Sequence, residues 1–381
     1  MRGLLFLVSA IVFVDMLFFS ALTPLLPHYA NTLGFGKTGA GVLAAAYPAG
    51  TFVGAIPSGI VAARLGVKPT VLIGLATLSV CTLLFGLATE AWQLDGARFV
   101  QGVSSSFSWT GALAWLVAAN PPERRGAQIG SAFATAVGGS LLGPVVGAIA
   151  SVAGIRETFG AIGILSLGLV AWAAVTPAEP PEEPQPLSAL ARAVVDPRMA
   201  VAAWMVMLPG LLFGTLTVLA PLRLSELGYG SVAIGAVFVC AGAFELLENI
   251  VLGHVTDRAG TLPPLWIGLA ASAVVATLLP VPEQAIVLAI LVVLACIAFG
   301  AFFTPGITLL TQVAERIGLD YGYALAVTNL AWAPGQAIGA VGGAAVANAA
   351  SDAAAYLTLA GLCVLTLVWL VRARTRISAA V

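Results

Sequence analysis

Charge is scarce in this chain. Lysine and arginine number 16 and aspartate and glutamate 17 in 381 residues, so 9% of the chain is charged, against roughly a quarter in soluble domains. With 60% hydrophobic residues, too little polar surface exists to face water, which excludes a soluble globular fold. A net charge of −1 carries no attraction to nucleic acid or acidic partners. Histidine occurs only as His28 and His254, and cysteine only as Cys81, Cys240, Cys296 and Cys363. None stands at metal-ligand or redox spacing, so no metal, disulfide framework or other cofactor is expected. No Ser-His-Asp set and no Walker loop is present, which argues against an enzyme and against ATP as an energy source.

What remains is long apolar runs. A membrane span needs about 20 largely apolar residues. Twelve such stretches read out at about 4–27, 39–62, 69–89, 92–118, 127–152, 156–176, 199–222, 231–253, 262–281, 284–309, 322–347 and 353–371. They are expected to be helices, because backbone in hydrocarbon must satisfy its own hydrogen bonds. The first is not expected to be a cleaved signal, since Asp15 interrupts it and no small-x-small site follows.

The chain repeats itself. At one constant offset Gly34 falls on Gly228, Gly36 on Gly230, Gly41 on Gly235, Gly59 on Gly253, Arg64 on Arg258 and Gly66 on Gly260, with Pro27 on Pro221 upstream. An arginine and a proline in the same register make this a duplication rather than a coincidence of glycines. The expected fold is all-α integral membrane, with twelve transmembrane helices as two pseudo-symmetric six-helix bundles. The bundles are 1–176 and 199–381, joined by a cytoplasmic linker at 177–198 that is rich in Pro and Glu.

Basic residues set the expected orientation. Arg2, Arg64, Lys68, Arg124, Arg125, Arg192, Arg198, Arg258, Arg316, Arg372, Arg374 and Arg376 share the side of the N-terminus. Lys37, Arg156 and Arg223 lie opposite, and Arg98 lies within a span. Both termini are thus expected in the cytoplasm, with the protein multi-pass in a plasma (inner) membrane.

Three groups of residues carry a resemblance over the whole chain. After span 2 come Gly59, Arg64, Gly66 and Lys68, and after span 8 come Gly253, Asp257, Arg258 and Gly260. In span 4 Arg98, Gln101 and Gly102 form Arg-x-x-Gln-Gly. In span 5 Gly139, Gly143, Pro144 and Gly147 form a glycine-proline run. With twelve spans as six plus six, the chain resembles the major facilitator superfamily, and within it the twelve-helix drug:proton antiporters. It departs at Ala63, where the family has Asp, and at Ala148, where a glycine is usual. The resemblance implies that Asp257 and the loop glycines help hold a cytoplasmic gate, that the arginine of span 4 serves proton coupling, and that the carrier is a monomer.

The residues also make physical sense unaided. Gly139, Gly143 and Gly147 recur every fourth position and form one smooth face for close helix approach. Pro144 removes a helical hydrogen bond and permits a kink. Such a face suits a surface about which two halves rock. Ionisable groups in mid-membrane cost several kcal/mol, so Asp15 in span 1, Arg98 in span 4, and Glu245 and Glu248 on one face of span 8 are functional candidates. The balance of desolvation against nearby cations and donors can bring a carboxylate's protonation into the physiological range. Asp15, tuned by Arg98, is therefore the candidate proton site, with Glu245 and Glu248 as further acids; the alternative makes Asp15 a structural partner of Arg98 or of backbone amides. Phe18, Phe19, Tyr47, Trp109, Phe213, Asn329 and Trp332 are the candidate cavity lining, where aromatic faces would suit amphipathic cations. The expected function is alternating-access, proton-coupled efflux of small amphipathic compounds. An exporter or facilitator of a sugar, amino acid or other metabolite is the alternative, and a non-transporting membrane sensor is a third.

Overall fold

A computed structural model describes residues 2–178, 186–260, 262–319 and 321–372. The described residues are nearly all helical, and no strand occurs among them. The elements are α1 (Arg2–Ala21), a 3-10 turn (Thr23–Leu25), α2 (Leu26–Leu33), α3 (Lys37–Leu65), α4 (Val67–Leu87), α5 (Ala91–Ala118), α6 (Pro122–Ala153) and α7 (Ile155–Val175). There follow α8 (Leu187–Val194), α9 (Pro197–Glu226), α10 (Ser231–Ala259), α11 (Leu262–Leu278), α12 (Ala285–Gly300), α13 (Phe303–Arg316), α14 (Tyr321–Ala349) and α15 (Asp352–Arg372). Counting α1 with α2 and α12 with α13 as one span each, and setting aside the short α8, this is the twelve-helix membrane fold.

Ten of these spans are long and apolar enough to cross a membrane by length and composition. The other two fall short for different reasons. The α11 helix has 17 residues. The α5 helix has 28 but carries Asp95, Arg98, Gln101, Ser104, Ser105, Ser106 and Ser108 in one stretch.

Two spans expected as single runs are broken. After Ala21 the backbone tightens into the 3-10 turn, because Pro24 has no N–H for the carbonyl of Ser20 and Pro27 none for that of Thr23. The run expected at 284–309 divides between α12 and α13. Ala301 N–H closes α12 on the Ile297 carbonyl, Gly306 N–H opens α13 on that of Phe302, and Pro305 leaves the Ala301 carbonyl without its helical donor.

The duplication shows in the backbone. Gly66 and Gly260, at the ends of α3 and α10, have φ of 93° and 81°, a region that glycine adopts without penalty. Gly228, which pairs with Gly34, ends α9 in a Schellman turn: its N–H bonds the Ser225 carbonyl and Tyr229 N–H reaches that of Leu224.

The helices gather into two compact units, Met1–Leu25 with Ala46–Gln185, and Leu26–Ala45 with Pro186–Val381. In the first, α1 packs on α6, and α4 packs on α5 and α7. A Cβ added at Gly139, Gly143 or Gly147 would run into the carbonyl oxygens of Phe13, Leu17 and Ala21. The glycine face of span 5 is therefore filled by α1 of the same unit, and Pro144 sits within α6 beside it. In the second unit α9 packs on α14. There Gly335, Gly339 and Gly343 meet the Met207 carbonyl, the Leu211 carbonyl and the Thr215 side chain, while Gly210 and Gly214 meet the carbonyls of Trp332 and Gln336. One mode of close approach is thus used twice. Positions 13, 17 and 21 on α1 and 207, 211 and 215 on α9 recur at the repeat offset.

Candidate functional site

In the first unit one face of α5 assembles the site. Arg98, Gln101, Ser105 and Trp109 are spaced three, four and four apart and so lie in a single stripe. Close approach of α3 brings Tyr47 to that stripe: a Cβ on Gly102 would overlap the Tyr47 carbonyl, and Gly50 and Gly54 meet the carbonyls of Phe99 and Val103. Thr51 Oγ1 donates to the carbonyls of Tyr47 and Gly102 at 3.1 and 3.3 Å.

Asp15 on α1 faces this stripe and is fully buried. Ser105 Oγ and Trp109 Nε1 both donate to its Oδ2, each at 2.7 Å. Its Oδ1 is enclosed and makes no hydrogen bond. The Tyr47 hydroxyl, also enclosed, is a further polar group within reach of the carboxyl. The carboxyl therefore has one oxygen anchored and one oxygen open to a proton.

Arg98 is buried but is not the ion-pair partner of Asp15. Its Nη1 donates to the Phe18 carbonyl at 2.9 Å and to Gln101 Oε1 at 3.3 Å, and Nη2 donates to the Phe19 carbonyl at 3.1 Å. Those carbonyls belong to the last turn of α1, where the helix has no N–H of its own to offer them. Arg98 thus caps the broken first span, as a cation at a helix C-terminus should. Gln101 Nε2 extends the chain to Thr82 Oγ1 on α4 at 3.2 Å.

The aromatic candidates separate. Phe19 and Tyr47 lie with ring centroids 5.1 Å apart, and Trp109 lies 5.4 Å from Phe133. Phe18 points elsewhere: it is fully buried and stacked on Phe159 at 6.4 Å, which in turn touches Phe85. Successive helical residues diverge by a third of a turn or so, so Phe18 belongs to the core while Phe19 stays by the carboxyl.

In the second unit Glu245 and Glu248 both turn toward Gly300 on α12, where an added Cβ would lie 3.1 Å from Glu248 Oε2 and 3.3 Å from Glu245 Cγ. Glu248 Oε2 is enclosed without a hydrogen bond, and among the described residues neither glutamate joins an ion pair. At the repeat offset they correspond to Thr51 and Gly54, the residues that let α3 close on α5. Phe213 on α9 meets Phe299 edge-on at 5.8 Å. Asn329 and Trp332 are half-buried, three apart on α14.

The loop signature is only partly described. Arg64 and Arg258 are exposed in the last turns of α3 and α10, where a cation is favoured, and Gly59 has open space around it. Gly253 and Asp257 lie on α10 outside the residues whose side chains are described. Among the described residues no group of three or more His, Cys, Asp or Glu could hold a metal ion.

Ser105 was not anticipated as a site residue, nor Trp109 as a hydrogen-bond donor. Their signal was the α5 stripe itself, which places both on the face of Arg98 and Gln101.

Comparison with known proteins gives matches of several kinds. The sequence profile described as Major Facilitator Superfamily matches residues 8–335. The MFS-type transporter ppzB of Metarhizium majus is 32% identical over 150 residues, which is 36% of this chain and 31% of that protein. The Quinolone resistance protein NorA of Staphylococcus aureus is 27% identical over 158 residues, 41% of each. The chain thus spans about a third to two fifths of the length of these curated relatives. Among solved structures, the D-xylose-proton symporter superposes with a TM-score of 0.73 at 15% identity, covering 96% of this chain and 97% of that one. The nucleoside transporter NupG gives 0.75 at 17% identity, covering 97% and 99%.

Proposed function

The chain belongs to the Major Facilitator Superfamily, as its profile match over most of the length shows, and we propose that this multi-pass membrane transporter couples efflux of small amphipathic compounds to proton entry. The observation that carries the reading is the carboxyl of Asp15, buried with Oδ2 held by Ser105 and Trp109 and Oδ1 without a partner.

That arrangement suits a group that gains and loses a proton. A proton arriving on Oδ1 leaves both donors on Oδ2 in place, so protonation needs no rearrangement of α5. The neighbouring Tyr47 hydroxyl can accept from the protonated oxygen and donate to it when the charge returns. In the charged state the two donors hold the carboxylate, and Arg98 acts on it across space while fixed to the end of α1. A cationic or polar substrate with an apolar body would compete with the proton at Oδ1 and lie against Phe19, Tyr47 and Trp109. Phe213, Asn329 and Trp332 are proposed as further substrate-lining residues, and Glu245 and Glu248 as a second pair of proton-accepting groups. The similarity to NorA supports a drug-type cargo.

In the proposed arrangement residues 1–176 and 199–381 are the moving halves, 177–198 is a cytoplasmic tether, and both termini lie in the cytoplasm of an inner-membrane monomer. Arg64, Gly66, Asp257, Arg258 and Gly260 serve the cytoplasmic gate, with Asp257 acting alone because Ala63 has no carboxylate.

The test is proton movement in inside-out vesicles holding an imposed pH gradient, with lipophilic cations, neutral drugs and then metabolites added. Substrate-dependent proton release by the wild type and none by Asp15→Asn is the expected result. Labelled compound that equilibrates with no proton signal would overturn coupling and leave a facilitator.

A further inference from the structure

Glu245 and Glu248 stand where the duplication replaces a sealed helix crossing with an open one. In the first unit Thr51, the counterpart of Glu245, donates to the Tyr47 and Gly102 carbonyls. Ser106 Oγ donates in turn to the Thr51 carbonyl at 2.7 Å, and Gly50, Gly54 and Gly102 let the backbones meet. At the repeat offset Ser106 becomes Gly300, while Gly50, Gly54 and Gly102 become Phe244, Glu248 and Cys296. The hydroxyl that closed the crossing is gone, as are the glycines that drew the backbones together, and two acids take their place.

The two carboxyl groups converge on one point. A Cβ added at Gly300 would lie 3.1 Å from Glu248 Oε2 and 3.6 Å from Glu245 Oε1, so the missing side chain leaves a space the size of a methyl group between them. Glu248 Oε2 is enclosed without a hydrogen bond, and the Glu245 carboxyl is almost wholly enclosed by protein. Two anions held this way within the membrane need a cation or protons.

The backbone points to a cation by a separate route. Gly300 is the last residue of α12, and the last turn of that helix carries no basic residue, so the negative end of the helix meets the two acids. Pro305 adds a main-chain oxygen at the same break, that of Ala301, which has lost its helical donor. In α5 the corresponding stretch is unbroken helix. Carboxylates beside the carbonyl end of an interrupted transmembrane helix are the oxygen ligands that alkali cations take.

Ligand type and space decide the ion. Cys296 lies one turn before Gly300 and within the field of both glutamates, yet among the described residues no three His, Cys, Asp or Glu form a metal set, which tells against zinc-like ions. A space of methyl size excludes an organic cation. Calcium gathers about six to eight oxygens and magnesium keeps a shell of waters, and neither fits there.

We propose that Glu245, Glu248 and the broken end of α12 at Gly300 and Ala301 form a sodium site. The ion ties α10 to α12 at the break before α13, and protons compete with it for the same oxygens. The site goes beyond the proton-accepting role of these acids and stands apart from Asp15, which belongs to the first unit.

The experiment is thermal unfolding of the full chain in detergent at alkaline pH and constant ionic strength, with sodium replacing choline. The unfolding temperature should rise with sodium and level off, as it does for a ligand that binds only the folded state. The half-saturating concentration should increase roughly tenfold for each unit of pH lowered, where one proton is displaced. Glu245→Gln, Glu248→Gln and Gly300→Ala should each abolish the rise, the last by filling the space while both acids remain. Binding of radioactive sodium to the wild type, displaced by unlabelled sodium and not by choline, checks the site even if a variant fails to fold. No rise and no displaceable sodium would overturn the site, and so would a rise that persists in Gly300→Ala or an equal rise with potassium. A larger response to calcium than to sodium would overturn the choice of ion. None of these readings depends on transport, so a failure of proton-coupled efflux leaves the sodium site standing.

Discussion

The guanidinium of Arg98 lies over the ring of Tyr47, 4.8 Å from its centroid, while its nitrogens hold the last carbonyls of α1. One residue of α5 therefore fixes α1 and α3 together at the two places beside Asp15. The tie is a planar fork on a flat ring, an arrangement that lysine cannot copy.

Arg98→Met should lower stability in detergent by about 1–3 kcal/mol, since it removes the guanidinium that donates to the Phe18 and Phe19 carbonyls. Arg98→Lys should lose roughly half as much. Thermal unfolding checks both, and a methionine variant as stable as wild type would remove the capping role.

Asp15→Asn keeps the shape of the carboxyl and removes its charge, so transport should become independent of pH across the physiological range. Ser105→Ala and Trp109→Phe each remove one donor from Oδ2 and should slow proton-coupled transport by roughly tenfold, the scale of one hydrogen bond to a charged group. Initial rates measured against pH in proteoliposomes distinguish the three.

The close helix contacts predict a contrast between glycines. Gly102→Ala and Gly339→Ala push a methyl into a carbonyl of the facing helix and should cost about 1–3 kcal/mol or more. Gly59→Ala meets open space and should be neutral or slightly stabilising, by about 0.5–1 kcal/mol, through helix propensity. Unfolding temperatures in one detergent give the comparison directly.

Glu245 and Glu248 both lie against Gly300, and among the described residues no cation pairs with them. Replacing both with glutamine should raise stability by about 1–3 kcal/mol while impairing coupled transport. The gain should grow at higher pH, where two ionised carboxylates cost more than two neutral amides, and shrink as pH falls. Equal unfolding temperatures at all pH values would show that the carboxylates are already neutral or screened.

Much of this was legible in the residues. The repeat of Gly66 in Gly260 became two helix ends with the same left-handed glycine, and Arg98 and Gln101 of the span 4 motif came to share one face of α5 with Trp109 and with Ser105, which no motif marked. The destination of each side chain was less legible. Phe18 and Phe19 are alike in the sequence, and only the angle between neighbouring positions sends one to Phe159 and the other to Tyr47. The break between α12 and α13 hid in a run of uniform hydropathy, where Pro305 acts through a hydrogen bond that hydropathy does not record. The place of residues 26–45 depends on contacts with α9, α14 and α15, hundreds of residues later in the chain.

The polar stripe of α5 also bears on how the protein is made. A helix carrying Asp95, Arg98, Gln101 and four serines does not partition into lipid on its own, and α11 at 17 residues is short for the task. The α4 helix is apolar, passes the length and composition test, packs along α5 and offers Thr82 to Gln101. Entry of α5 into the bilayer as the second arm of a hairpin with α4 is the expected route, since it shelters part of the polar face from lipid. The order in which the spans leave the ribosome is then part of what makes a buried arginine affordable.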